Sequence, residues 1–211
     1  ELISTFTVIR PKPHKKINIT LPCPGKHNVL NALATIAIST ELGLSDKLIC
    51  NGLASFQGVG RRFQLLGEIN FIKGKSLIID DYGHHPNEIR ATIEAFRATW
   101  PERRLVHVFQ PHRFTRTRDL FDDFVKVLTL ADELLLLDIY PAVESPIEGI
   151  TSQLLMEQIK KRTKHAQIIT QQNLQDVVAS VVTEGCAVLM QGAGSISQLA
   201  QAMMQNKVNI E

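Results

Sequence analysis

The stretch SLIIDDYGHHPNEIRATIEAFRATW, residues 76 to 100, decides the fold. Its first residues, Ser76 to Asp80, form a short and nearly continuous apolar run, the character of a strand covered on both faces rather than one. Pro86 then stands where a first helical turn has no use for an N–H, so a helix is predicted from Pro86 to Trp100. Between strand and helix lies the polar turn Asp80-Asp81-Tyr82-Gly83-His84-His85.

The same rhythm continues downstream. Strands are predicted at 105–110, 133–139, 166–170 and 187–191, alternating with helices at 117–131, 152–162, 174–183 and 195–204. Apolar strands alternating with amphipathic helices imply an α/β fold, a Rossmann-like doubly wound, mainly parallel sheet. Ligands in such sheets bind beyond the C-terminal strand ends, and the polar clusters fall there. Asp80 to His85 follows one strand, Gln110 to Arg113 the next, Asp138 to Tyr140 a third and Gln191 to Ser195 the last.

Upstream of Gly58-Val59-Gly60 the pattern differs. Residues 2–9 and 16–21 read as two strands joined across Arg10-Pro11-Lys12-Pro13. A helix from Asn28 to Leu42 follows, with Gly43 at the position of a C-cap, and a second helix opens at Ser45 and Asp46 and ends near Phe56. This block lacks a complete wrap and the chain opens on Glu1 rather than Met, so the tail end of a larger protein is expected.

At 211 residues and 44% apolar, the chain suffices for one large core or two modest ones. A net charge of +2 argues against partners drawn by a general field, whether nucleic acid or a membrane surface. No apolar run spans a bilayer. Cys23, Cys50 and Cys186 are odd in number and scattered, which suits a reducing cytoplasm.

The turn Asp80 to His85 packs two carboxylates and two imidazoles together. Such a set suits a divalent metal, acid–base work or the hydroxyls of a ribose, and equally the capping of a helix. His112-Arg113-Phe114-Thr115-Arg116-Thr117-Arg118-Asp119 places three arginines near a predicted helix start, an arrangement for a carboxylate or phosphate. Its bland counterpart is a solvated face paired with Asp119, Asp122 and Asp123. Gly60-Arg61-Arg62-Phe63-Gln64 offers a further cationic pair between the two blocks, and Gln191-Gly192-Ala193-Gly194-Ser195 reads either as a phosphate-binding turn or as tight strand-to-helix turning. Asn28 and Asn31 share a helix face and offer amides to a nucleobase or phosphate, or serve as caps.

These stretches, in order, resemble the C-terminal half of a Mur ligase: GKHNVLNALA at 25–34, FQGVGRRFQ at 56–64, DDYGHHP at 80–86, FQPHRFTRTRDLFDDF at 109–124 and QGAGSI at 191–196. The resemblance covers nearly the whole chain. It implies that residues 1–62 are the C-terminal part of a central α/β ATPase domain and 63–211 a C-terminal Rossmann-like domain for the incoming amino acid. The family's glycine-rich ATP loop and its magnesium-binding Glu and His region are not among these residues and are expected upstream. The implied activity is ATP- and Mg2+-dependent ligation of L-alanine to the carboxylate of UDP-N-acetylmuramate through an acyl phosphate, in peptidoglycan precursor synthesis. The remaining domains of the same enzyme would be partners, and this piece alone would be inactive.

By the same resemblance Asn28, Asn31 and Arg62 contact the nucleotide, with Asp80 or Asp81 at its ribose or phosphate side. Tyr82 and His84 lie by the muramoyl end as catalytic candidates, and Arg113 and Arg116 clamp the alanine carboxylate with His112 beside them. Three alternatives accompany this reading. They are a murein-peptide recycling ligase, a metal-dependent phosphoesterase suggested by the His84-His85 pair, and a non-enzymatic nucleotide-binding regulatory module.

Overall fold

A computed structural model describes residues 3–205. The chain divides into two compact units, one running to Val59 and including Glu94–Pro101, the other comprising Gly60–Ile93 and Glu102 onward.

In the first unit β1 (Ser4–Val8) pairs antiparallel with β2 (Ile17–Leu21), in the register Ser4 to Leu21 and Val8 to Ile17. Helices α1 (Lys26–Glu41) and α2 (Asp46–Ala54) follow. Val8, Ile17, Ile19 and Leu21 form a small core with Ala32, Ile36, Ile49 and Leu53. Gly43, at φ 76, supplies the left-handed residue that ends α1. Its N–H reaches Thr40 O and that of Leu44 reaches Ser39 O, satisfying carbonyls that the last turn would leave open. Ser45 caps α2 by accepting from the Leu48 amide.

The second unit is built on a six-stranded sheet in the order β3-β4-β8-β5-β6-β7. The strands are β3 (Gln64–Phe71), β4 (Gly74–Asp81), β5 (Leu105–Phe109), β6 (Glu133–Leu136), β7 (Ala166–Ile168) and β8 (Ala187–Gln191). From β4 onward all neighbours are parallel. The chain steps in one direction from β4 through β7 and then returns to insert β8 between β4 and β5. Helices α3 (Pro86–Thr99), α4 (Phe114–Asp119), α5 (Phe121–Leu128) and α6 (Ser152–Lys160) make the outward steps, while α7 (Leu174–Val181) makes the return and α8 (Ile196–Gln205) follows β8. Because parallel crossovers keep one hand, reversing direction moves the helix to the other face. Leu174 and Val178 of α7 and Ile196, Ala200 and Met203 of α8 accordingly pack with Ile78, Val106, Val108, Val188 and Met190. The alternate residues point the other way, where Phe109 meets Phe124 of α5 at 5.8 Å between ring centroids.

Two elements depart from the sequence expectation. Strand β3 was not anticipated. It is an edge strand, antiparallel to β4, with a bulge between Leu65 and Gly67 that interrupts its alternation. The single helix expected over 117–131 is instead two. It begins at Phe114 and breaks at Leu120, whose φ of −116 and ψ of 23 lie outside the helical range. The arginines therefore do not stand at the start of a long helix. Arg113 is the N-cap of the six-residue α4, and Arg116 and Arg118 occupy its last turn.

Candidate active site

The C-terminal ends of β4, β8, β5 and β6 meet along one rim. Gly192 N donates to Asp81 O at 3.0 Å and Gln110 N to Gln191 O at 3.1 Å. Tyr140 N donates to Pro111 O and Arg113 N to Tyr140 O, both at 2.8 Å. These bonds continue the sheet one step past its strands, so the four polar clusters of the sequence become neighbours. Gly192 makes the step possible: a Cβ there would stand 2.7 Å from the Gln110 carbonyl oxygen. Of the two readings of Gln191 to Ser195, tight turning is what the geometry of Gly192 displays.

Asp80 and Asp81, adjacent on β4, point to opposite faces and are both buried. Asp81 is a hub. Its Oδ1 accepts from Phe63 N at 2.8 Å, and its Oδ2 accepts from Gly83 N at 2.9 Å, Thr92 Oγ1 at 3.1 Å and Gln191 Nε2 at 2.6 Å. Asp80 Oδ2 accepts from Ser197 Oγ at 2.5 Å and faces Arg61 Nε at 3.6 Å. Burial raises the Asp80 pKa, with Ser197 and the Arg61 charge opposing it. Among the described residues no three His, Cys, Asp or Glu side chains gather as a metal-ligand group, so the density of Asp80 to His85 in sequence does not become a metal cage in space.

Beyond the carboxylates the chain turns outward. Tyr82 is 42% exposed and carries the Arg61 guanidinium over its ring at 4.9 Å. Tyr82 N also donates to Arg61 O at 2.6 Å, and Arg61 Nη2 donates to Gly192 O at 2.7 Å. Tyr82 and His84 meet edge to face at 5.2 Å. His84 Nδ1 lies 3.0 Å from Tyr82 O, and since a carbonyl only accepts, this nitrogen carries the proton. When the ring is neutral, Nε2 is then its acceptor. Glu88 accepts from the amides of both His84 and His85, at 2.9 and 3.1 Å. Burial pushes the Glu88 pKa up, but those amides and the two imidazoles outweigh it and the net shift is downward.

His112 sits 5.8 Å from His84 between centroids and stacks on Tyr140 at 5.6 Å with a 10° interplanar angle. Its pKa falls to about 4, first through burial, then through the charges of Arg116, His84 and Arg113. Arg113 is exposed with a positive φ of 75, a conformation rare for a side-chain-bearing residue and typical of a site the surrounding structure holds in place. The acids suggested as partners for the arginines take only Arg118, which pairs with Asp119 at 2.8 Å. Glu144 takes the start of α4 instead, accepting from Thr115 N at 3.0 Å and Thr115 Oγ1 at 2.6 Å.

In the first unit Asn28 lies in the first turn of α1, where its Nδ2 donates to Pro24 O at 2.7 Å, and Asn31 is exposed. Arg62 is exposed as well, whereas its neighbour Arg61 makes the rim contacts.

Residues 61–194 match the family model described as Mur ligase, glutamate ligase domain. This chain belongs to the Mur ligase family. It is 57% identical over 205 residues to the UDP-N-acetylmuramate–L-alanine ligase of Legionella pneumophila strain Corby, covering 97% of this chain and 44% of that protein. The chain thus spans less than half the length of such relatives. Among solved structures, the UDP-N-acetylmuramate-alanine ligase MurC of Thermotoga maritima superposes with a TM-score of 0.75 at 29% identity, covering 92% of this chain and 41% of that one. A murein peptide ligase from Psychrobacter arcticus shares the fold, with a TM-score of 0.66 at 24% identity over 99% of this chain and 42% of its own.

Within this Mur ligase chain, Thr92, Ser197 and Glu144 shape the rim without having stood out in the sequence, whereas Arg61 and Gln191 lie inside stretches the sequence marks. The Arg61-Arg62 pair was visible, but which of the two turns inward depends on a backbone turn with positive φ at Arg61 and Phe63, 60 and 49. Gln191 is the single polar residue of the otherwise apolar β8, a contrast that marks it, whereas Thr92 and Ser197 lie in helices with other polar residues and carry no such signal.

Proposed function

We propose that the protein containing this chain is an ATP-dependent amide-forming ligase that joins L-alanine to the carboxylate of UDP-N-acetylmuramate in peptidoglycan precursor synthesis, working in the cytoplasm. The observation that carries the reading is the rim set His84, His112, Arg113 and Arg116 at parallel strand ends, in a chain 57% identical to a ligase of that name.

In this reading ATP phosphorylates the muramate carboxylate to an acyl phosphate. The alanine nitrogen then attacks the acyl carbon, loses a proton, and phosphate leaves. Arg113 and Arg116 bind the alanine carboxylate, since a guanidinium meets a carboxylate through two parallel hydrogen bonds. His112 sits among those cations as a neutral ring. His84 presents Nε2 as an acceptor for the amine proton, with Tyr82 beside it. Asn28, Asn31 and Arg62 contact the nucleotide. Asp80 and Asp81 serve the same side as holders, Asp80 through Arg61 and Asp81 through the amides of Phe63 and Gly83. Mg2+ would be held mainly by residues upstream of this chain, together with the nucleotide phosphates.

Purified full-length protein given ATP, Mg2+, UDP-N-acetylmuramate and L-alanine should release phosphate only when all are present. Alanine-independent turnover, or none, rejects the reading. The 211-residue chain alone should release no alanine-dependent phosphate.

A further inference from the structure

A fully buried polar group of the sheet lies outside the rim just described. His107 lies mid-strand in β5 with 0% exposure, and both its ring nitrogens are buried without a hydrogen-bond partner. Gln191, also at 0%, ends β8. Its Nε2 donates to Asp81, while its Oε1 is buried and unpartnered. Register explains why these unsatisfied groups belong together. His107 pairs with Leu189 and Phe109 with Gln191 on adjacent parallel strands, so His107 sits one pleat below Gln191 on the same sheet face. Asp81 is Gln191's partner on the other side, in the pairing of β4 with β8.

We infer that His107 is a positioning residue for the rim: its ring N–H donates to Gln191 Oε1 and fixes the Gln191 amide so that Nε2 faces Asp81. A carboxylate can only accept, so Asp81 takes the Nε2 end of the amide, which turns Oε1 toward the one N–H that a neutral imidazole carries. Reversing the amide would set its oxygen against the Asp81 carboxylate. The relay therefore runs across β5, β8 and β4 and ends on the amides of Phe63 and Gly83, which flank Arg61 and Tyr82. Burial holds the ring neutral, its pKa pushed down to about 4 with Gln191 opposing the shift. Its consequence for catalysis rests on the ligase reading above.

Two measurements on the full-length protein test this. In protein labelled with 15N-histidine, the resonance lost in His107→Gln should report one neutral tautomer at pH 7 with a slowly exchanging ring proton. An imidazolium, or two tautomers in rapid exchange, overturns the proposal without any apolar variant having to fold. Hydrogen exchange of peptides spanning Phe63 and Gly83 should quicken about tenfold in His107→Phe, leave the distant β7 peptide unchanged, and return toward the parent rate in His107→Gln. Unchanged exchange at Phe63 and Gly83, or equal quickening everywhere, also overturns it. In the ligation assay His107→Phe should lower kcat with KM for alanine little changed, and an unchanged kcat rejects the catalytic consequence. A parent protein without ligase activity rejects the ligase reading and leaves the exchange result standing.

Discussion

Arg116 reaches back four residues and places one guanidinium nitrogen 3.0 Å from His112 O and 3.1 Å from His112 Nδ1. A guanidinium stays protonated and only donates, so Nδ1 must be the acceptor, and the proton of the neutral ring sits on Nε2. The arginine that would bind a carboxylate thus also fixes the tautomer of its neighbour. His84 is biased the opposite way, with its proton on Nδ1. The two rings that meet at 5.8 Å present one donor and one acceptor.

Removing Arg116 should therefore do two things. In Arg116→Ala the His112 pKa, about 4 in the parent, should rise toward 6.5 as one of the charges depressing it disappears. A histidine NMR titration reads this directly, and an unmoved value rejects the electrostatic assignment. In the full-length ligase the KM for L-alanine should rise about tenfold or more, equivalent to about 1.4 kcal/mol for a charge-assisted contact.

Stability should fall as the pH drops from about 6.5 toward 4. The folded pKa of His107 is depressed from 6.5 to about 4, so in that window the unfolded chain binds the extra proton and protonation favours unfolding. For this buried ring the loss approaches about 3 kcal/mol at the low end, an order-of-magnitude figure. His112, also depressed to about 4, acts in the same direction with a smaller effect because it is only partly covered. Asp80 has the opposite sign: its raised pKa favours folding at low pH and costs stability as pH rises through the folded value. Urea midpoints at pH 7 and 4.5 test the balance, and His107→Gln should flatten the dependence.

Asp81→Ala should destabilise the second unit by about 3 kcal/mol or more, because two backbone amides, a hydroxyl and an amide side chain lose their acceptor in a buried site. Asp81→Asn keeps the shape and part of the acceptor capacity and should cost less. Equal midpoints for Asp81→Ala and the parent in denaturant would show that the hub carries no stability.

Gly192→Ala should cost about 1–3 kcal/mol by overpacking. Its φ is 150, and the added Cβ would stand 2.7 Å from Gln110 O on the neighbouring strand end. Chemical denaturation with intact parent-like circular dichroism is the check, and a neutral substitution would mean that the two strand ends part easily.

The parallel core was legible in the sequence because buried strands such as Leu105–Phe109 and Ala187–Gln191 are apolar except for His107 and Gln191, and the helices between them are periodic. Strand β3 was not, since its bulge breaks the alternation that a half-buried edge strand would show. The break at Leu120 was also hidden, because Phe114 to Leu128 keeps helix-compatible residues on both sides of it.

The sequence by itself determined which polar clusters lie at strand ends, for that follows from local periodicity and the one-handed crossover. It also placed the resemblance to the Mur ligases on contiguous motifs. Only the tertiary structure decided that Arg61 rather than Arg62 turns onto Tyr82 and Asp80, that Asp81 is consumed by internal donors, and that His107 lies beneath Gln191. Those outcomes depend on strand order and register, which bring together residues more than a hundred positions apart in the case of Asp81 and Gln191, and no local pattern encodes such a pairing.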